Sequence, residues 1–164
     1  MQGSLAVTSP EETDRFAARL ADATRPGDTL LLSGELGAGK THLARAFIRR
    51  AMGPEGEGED IPSPSFTLVQ TYETPDGDVW HADLYRLSGP DEIVELGLDL
   101  AMEESRCLVE WPERMAPDWP GRAVLLRMEP DPGGATEYRV LTLWALPGNA
   151  LAQRLRALFG DSAG

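Results

Sequence analysis

Three chemically versatile side chains are scarce in this sequence. Its 164 residues hold one cysteine, Cys107, one lysine, Lys40, and two histidines, His42 and His81. A single cysteine forms no internal disulfide, which fits a reducing, cytoplasmic setting. Long hydrophobic runs are also missing. Stretches such as Leu30-Leu31-Leu32 are strand-sized, far below the roughly 18 residues of a membrane span, and no cation before Arg15 marks a secretory leader. Positive charge is in short supply: 15 bases against 27 acids leave a net −12, with no basic run longer than Arg49-Arg50. Nucleic-acid binding draws on many Lys and Arg contacts to phosphate, so any polynucleotide would be held by a partner. Fourteen of the 15 bases are arginine, which makes the position of the one lysine informative.

The length and the 41% hydrophobic content are those of one ordinary globular domain, spanning 1–164, able to bury a core without disulfides. Ser9-Pro10-Glu11-Glu12 is a helix start, with Ser9 as cap and Glu12 closing a capping box. Phe16, Ala17, Leu20 and Ala21 follow at helical spacing. Pro26-Gly27-Asp28 leads into an apolar strand, Thr29 to Ser33, then a glycine-rich loop and a helix from about Thr41 to Met52. The charged, breaker-rich stretch 54–62 reads as a mobile loop. Thr67 to Tyr72 and Val79 to Leu84 are strand-like around a Pro75-Asp76-Gly77 turn. A short helix opens at Pro90 and ends at Gly97. Strands follow at Arg106 to Glu110, Arg122 to Met128 and Glu137 to Ala145, and an amphipathic helix closes the chain from Asn149 to Phe159. The pattern predicts an α/β fold of three layers, with a mostly parallel sheet and an antiparallel hairpin over 67–84.

Gly34-Glu35-Leu36-Gly37-Ala38-Gly39-Lys40-Thr41 matches G-x-x-x-x-G-K-[ST], the Walker A phosphate loop. In a chain of this composition the pattern arises by chance on the order of 10⁻³ times. Its glycines let backbone N–H groups turn inward around phosphate oxygens, and the following helix aims its positive dipole end at the same place. Lys40 would reach the β- and γ-phosphates, and the Thr41 hydroxyl would ligate Mg²⁺. With no second lysine there is no Asn-Lys-x-Asp guanine reader, so ATP is favoured.

Two acids end neighbouring strands and could serve the metal or its waters, Asp83 after Val79-Trp80-His81-Ala82 and Glu110 after Cys107-Leu108-Val109. Each taken alone could equally be a solvated strand-end carboxylate. His81 and His42 read as hydrogen-bonded structural histidines rather than catalysts. Trp80, Trp111, Trp119 and Trp144 read as packing residues, since no basic groove accompanies them. Ser63-Pro64-Ser65-Phe66-Thr67 sits where a nucleotide switch segment would lie.

In chain order, Leu36-Gly37-Ala38-Gly39-Lys40-Thr41, Ser63-Pro64-Ser65-Phe66-Thr67-Leu68-Val69, His81-Ala82-Asp83-Leu84-Tyr85-Arg86-Leu87 and Val109-Glu110-Trp111-Pro112-Glu113 resemble the bacterial TsaE (YjeE) ATPase family from about Ser9 to Trp119. The resemblance implies an ATPase that assists threonylcarbamoylation of tRNA, with the transfer chemistry in partner proteins TsaD and TsaB, which would hold the tRNA. It implies that Thr41 and Glu110 place Mg²⁺, that Asp83 supports the metal or the attacking water, and that Ser65 and Thr67 belong to a switch-like segment. The nucleotide contacts would run from Gly34 through His42, and Ser9, Pro10 and Thr13 would lie near the adenine. The family's usual Thr gives way to Ser65 and, after the Mg²⁺ threonine, to His42. Its Gly-Arg pair in the last hairpin gives way to Ala135-Thr136, with Arg139 as a nearby substitute. Two other readings use the same loop: a small-molecule kinase, and a nucleotide-responsive binding module that hardly hydrolyses ATP.

Overall fold

A computed structural model of the chain describes residues 2–64, 66–115, 119–130, 133 and 137–159. Among these residues one mixed sheet of seven strands organises the molecule, in the order β1-β7-β6-β2-β5-β4-β3. The strands are β1 Gly3–Val7, β2 Thr29–Ser33, β3 Val69–Tyr72, β4 Val79–Asp83, β5 Arg106–Glu110, β6 Val124–Pro130 and β7 Arg139–Trp144. The helices are α1 Pro10–Ala23, α2 Lys40–Met52, α3 Asp91–Glu95, α4 Leu98–Glu104 and α5 Ala150–Leu155, the last continued by a 3-10 turn at Arg156–Phe159.

The middle of the sheet is parallel, β6-β2-β5-β4, and β3 closes one edge antiparallel to β4 as the 67–84 hairpin pattern predicts. The opposite edge is antiparallel too: β7 pairs with β6, and β1 with β7. The sequence pattern offers no strand before Ser9, because Gly3, Ser4 and Ala6 have little intrinsic strand preference. The residues become a strand by pairing along β7, Gly3 opposite Leu143 through Val7 opposite Arg139.

Alternation along β2 builds two cores. Leu30 and Leu32 face α1 and α2 with Phe16, Leu20, Leu43, Phe47 and Ile48, while Leu31 faces Leu84, Leu98, Met102 and Val109 on the other side. All five residues of β2 are buried, as expected of a central parallel strand covered on both faces. The three layers are therefore helix, sheet and helix.

Local signals explain the helix ends. Ser9 caps α1, its Oγ accepting from the Glu12 N–H at 3.1 Å. Glu12 reaches back to the Thr8 N–H at 2.7 Å, one residue before the position a capping box uses. That hydrogen bond holds the Glu12 carboxyl below its usual range. Gly97, in the left-handed region at φ 76°, ends α3 as expected and also starts α4, a helix the periodicity leaves out. The stretch 54–62 departs from the expected mobile loop. It begins in a 3-10 turn, Gly53–Gly56, buries Ile61, and is tied to α2 where Arg45 Nε donates to the Ile61 carbonyl at 2.8 Å and Arg49 Nε to that of Glu59 at 3.0 Å.

Candidate nucleotide site

The glycine loop joins the C-terminal end of β2 to the N-terminus of α2. Gly34 has φ 147°, and a Cβ there would meet the Met128 carbonyl oxygen at 2.5 Å, so no other residue fits. Gly39, at φ 101°, caps α2 without any side-chain hydrogen bond, which leaves the first-turn N–H groups of a 13-residue helix for an anion.

Lys40 is the first residue of α2 and is buried, 5% exposed. Its ammonium donates to the Gly34 carbonyl and, at 3.3 Å, to that of Glu35, and it lies 3.7 Å from the centroid of the Trp111 ring. The charge rests on two loop carbonyls and an aromatic face. Burial lowers the Lys40 pKa, opposed by the nearby charges of Glu110, Glu113 and Asp83.

The two acids stand side by side. β4 and β5 run parallel with Asp83 opposite Glu110, so both carboxylates emerge from one face at one end of the sheet. Neither is a solvated strand end, for Asp83 is 7% and Glu110 2% exposed. Glu110 is held at both oxygens: the Thr41 hydroxyl donates to Oε1 at 2.8 Å, and His81 Nε2 lies 2.6 Å from Oε2. The Asp83 carboxylate accepts from the Tyr85 N–H at 3.0 Å, and its own N–H donates to the Leu68 carbonyl at 2.9 Å. Leu68 and Trp111, which follow the hairpin entry and Glu110, are non-glycine residues at positive φ (66° and 57°). Such strain persists where surrounding structure enforces it and gathers at functional sites.

Leu36, Gly37, Ala38, Gly39, Lys40, Thr41, His42, Asp83, Glu110 and Trp111 line a cavity of about 290 Å³. An adjoining one of about 190 Å³ is lined by Pro10, Thr13, Ala38, Gly39, His42, Met128, Glu137 and Arg139. The structure therefore brings Pro10 and Thr13 to the loop, from the first turn of α1. His42 bridges the two cavities, its Nε2 2.7 Å from Asp14 Oδ1 on α1. Gly34 and Glu35 open onto a third recess with Tyr85, Trp111 and Glu113. Thr67 lines none of these three cavities. It is exposed, and its hydroxyl accepts from Gln70 Nε2 at 3.0 Å. Ser65, Ala135 and Thr136 lie outside the described residues.

Two contributors were missed or undervalued by sequence reasoning. Trp111 reads as packing, yet its ring carries the Lys40 charge; its place directly after a strand-end acid was the available signal. Arg139 grips the loop, donating from Nε to the Ala38 carbonyl and from Nη2 to that of Gly37, both at 3.2 Å. The resemblance offers Arg139 only as a substitute for a nucleotide contact, and nothing local to it signals a hold on the loop backbone.

The donor set suits magnesium. Thr41, Glu110 and Asp83 offer oxygen atoms only, and the described residues contain no group of three or more His, Cys, Asp and Glu that could hold a metal unaided. Mg²⁺ is commonly held by one or two carboxylates together with substrate phosphates.

A glycine loop between a central parallel strand and a helix, with acids ending the adjacent strands, defines a P-loop protein. The sequence model of the family described as "Threonylcarbamoyl adenosine biosynthesis protein TsaE" matches residues 7–137, and the chain belongs to that family. A Rickettsia felis protein named tRNA threonylcarbamoyladenosine biosynthesis protein TsaE is 44% identical over 109 residues, 66% of this chain and 62% of its own length. A Streptomyces coelicolor protein of the same name is 38% identical over 132 residues, 78% of this chain and 86% of its own. The crystal structure of Bacillus subtilis YdiB superposes with a TM-score of 0.67 at 30% identity, covering 94% of this chain and 92% of that one. No helix among the described residues is long and apolar enough to cross a membrane.

Proposed function

We propose that this chain is a Mg²⁺-dependent ATP-binding protein and ATPase that serves tRNA N6-threonylcarbamoyladenosine formation together with TsaB- and TsaD-type proteins, which would hold the tRNA. The observation that carries the reading is the hydrogen bond from Thr41 to Glu110 directly behind the phosphate loop, with Asp83 in register beside it. Thr41 and Glu110 would hold the metal, and Asp83 would orient the attacking water or the metal's water shell. Held by these residues, Mg²⁺ would supply positive charge against the charge that develops during phosphoryl transfer. Lys40 would exchange the carbonyls of Gly34 and Glu35 for phosphate oxygens. The backbone N–H groups from Gly37 to Thr41 would cradle the phosphates, with the base toward Pro10, Thr13 and Arg139.

The net charge of −12 supports a protein that leaves tRNA to its partners. Thr67 is exposed and lines none of the cavities at the loop, which supports weak hydrolysis by the isolated chain, because positioning of the water would then have to come from a partner. The test is steady-state ATP hydrolysis, alone and with the TsaB–TsaD counterparts. Slow turnover that rises with the partners is expected. Full activity alone, indifferent to them, would point to the kinase reading, and silence in both conditions to a binding module.

A further inference from the structure

We propose that His81 is a positioning residue for the metal site, fixing the Glu110 carboxylate so that one oxygen stays turned toward Thr41 and the phosphate loop. The inference rests on the magnesium–ATP reading above and adds a residue to it.

His81 is the third residue of β4 and is fully buried, and its ring points to the same side of the sheet as Glu110 on the neighbouring strand. The contact joins His81 Nε2 to Glu110 Oε2 at 2.6 Å, slightly shorter than the roughly 2.7–2.9 Å of a charge-assisted N–H···O bond. A carboxylate only accepts, so the shared hydrogen is carried by Nε2. The ring's other nitrogen, Nδ1, is buried and has no hydrogen-bond partner among the described residues.

That asymmetry separates this histidine from an ordinary core histidine, which satisfies both nitrogens because a buried polar atom without a partner is costly. Here the fold tolerates an orphan at Nδ1 and spends the ring's one good hydrogen bond on the carboxylate. An apolar residue at position 81 would remove the orphan, yet it would leave Oε2 of a nearly buried carboxylate unpaired. The second oxygen of Glu110 then has no fixed role. The carboxylate is then free to rotate, Oε1 can leave Thr41, and the two oxygen donors cease to converge.

The arrangement also explains a division of labour between the two oxygens. Oε1 accepts from the Thr41 hydroxyl, whose own oxygen would be offered to a bound Mg²⁺. Oε2 keeps its bond to His81 whichever partner Oε1 has. His81 therefore supplies the constant constraint and Thr41 the exchangeable one. Groups that orient a metal-ligating carboxylate from behind typically change metal affinity by roughly 10- to 100-fold when removed.

The test compares three variants of the full chain. A glutamine amide can place an N–H where Nε2 lies, an asparagine amide reaches only the Nδ1 position, and leucine supplies no donor. ATP affinity is measured by calorimetry with excess Mg²⁺ and again in EDTA, and the ratio of the two is the readout. His81→Leu should cut the gain from Mg²⁺ roughly 10- to 100-fold while affinity in EDTA stays within about twofold. His81→Gln should restore most of that gain, and His81→Asn should not. Thermal melts of each variant identify any loss of fold. Should the leucine variant fail to fold, the glutamine–asparagine contrast decides alone. Equal loss with and without Mg²⁺, or glutamine and asparagine behaving alike, would overturn the positioning role. A wild-type protein that gains nothing from Mg²⁺ would overturn the magnesium reading itself and this one with it. Wild-type gain retained in His81→Leu would overturn this one alone.

Discussion

Replacing Lys40 with methionine separates what the side chain does for the fold from what it does for the nucleotide. The ammonium donates to the Gly34 and Glu35 carbonyls and rests on Trp111. Hydrogen bonds involving a charged group contribute about 1.5–3 kcal/mol, and a cation over an aromatic face about 0.5–2 kcal/mol. Burial of the charge opposes both, as the lowered Lys40 pKa records. Methionine keeps the apolar stem and removes the buried charge, so stability should change by no more than about 1 kcal/mol. Binding is another matter. Leaving a phosphate charge unpaired in a desolvated site costs about 2–5 kcal/mol. The wild type must give up its carbonyl and Trp111 contacts to bind, which places the net loss near the lower half of that range, or roughly 100-fold in Kd. Urea unfolding and calorimetry with ATP measure the two quantities on the same preparation. A pH series adds a sign. Because folded Lys40 gives up its proton more readily than the ordinary 10.5 of the unfolded chain, the unfolded state binds more protons just below that value. Wild-type stability should therefore rise with pH there relative to the variant. Unchanged ATP affinity in Lys40→Met would refute the phosphate-loop assignment, and a loss of several kcal/mol in stability would refute the reading of its carbonyl and Trp111 contacts.

Glu110→Gln should abolish most of the Mg²⁺-dependent gain in ATP affinity, since an amide is a poor magnesium ligand, while Asp83→Asn should lower turnover more than affinity; calorimetry and single-turnover hydrolysis distinguish them, and wild-type behaviour in both variants would show the site to be misplaced. Gly34→Ala should destabilise the chain by about 1–3 kcal/mol and weaken ATP binding, because its Cβ would press on the Met128 carbonyl at 2.5 Å; an unperturbed urea midpoint would contradict the loop geometry. Burial pushes the Cys107 thiol up to about 12 from 9.0, so a disulfide reagent at pH 8.5 should label it only after unfolding. By the same shift the unfolded chain ionises first above pH 9, and stability contributed by this thiol should fall as pH rises from there toward 12, a slope that Cys107→Ala removes.

What was legible in the sequence shares one property: the signal is local. The phosphate loop, the Ser9 cap, the Pro75-Asp76-Gly77 turn and the unbroken Leu30-Leu31-Leu32 run each announce themselves within a few residues. β1 has no such signal and exists through its pairing with β7, some 130 residues away. The anchoring of 54–62 escaped for a similar reason, since two arginines of α2 hold backbone carbonyls that composition alone marks as unbound. The site divides the same way. Lys40 and Thr41 are fixed by the motif, and Asp83 and Glu110 by their strand ends. The His81–Glu110 contact needs the register of β4 against β5, and the grip of Arg139 on the loop joins positions 101 and 102 residues apart. Sequence reading recovers residue types in series, and it has no purchase on side chains that meet across a sheet.

That register also explains why the candidate site divides into two ends. β2 delivers the loop with a parallel neighbour on each side, and its two flanks differ one strand further out, where β4 continues parallel and β7 turns antiparallel. On the parallel flank, β5 and β4 end level with each other, so Glu110 and Asp83 arrive together on one face. A slip of one residue would turn either carboxylate to the opposite face, and parallel pairing buried on both sides resists such a slip because every side chain along it would change environment. On the other flank, β6 runs out parallel to β2 and β7 returns antiparallel to β6, which sets Met128 and Arg139 against Pro10 and Thr13 of α1. Each flank reaches the loop through a different strand, with Arg139 holding Gly37 and Ala38 and Glu110 holding Thr41. Substitutions along β6 and β7 can therefore reshape the recess beside Pro10 without disturbing the acids, and substitutions along β4 and β5 can retune the acids without touching that recess. A nucleotide lying across the loop would be gripped at its two ends by the two halves of one sheet, and the rigidity of β2, buried over its whole length, is what would keep those two grips in phase.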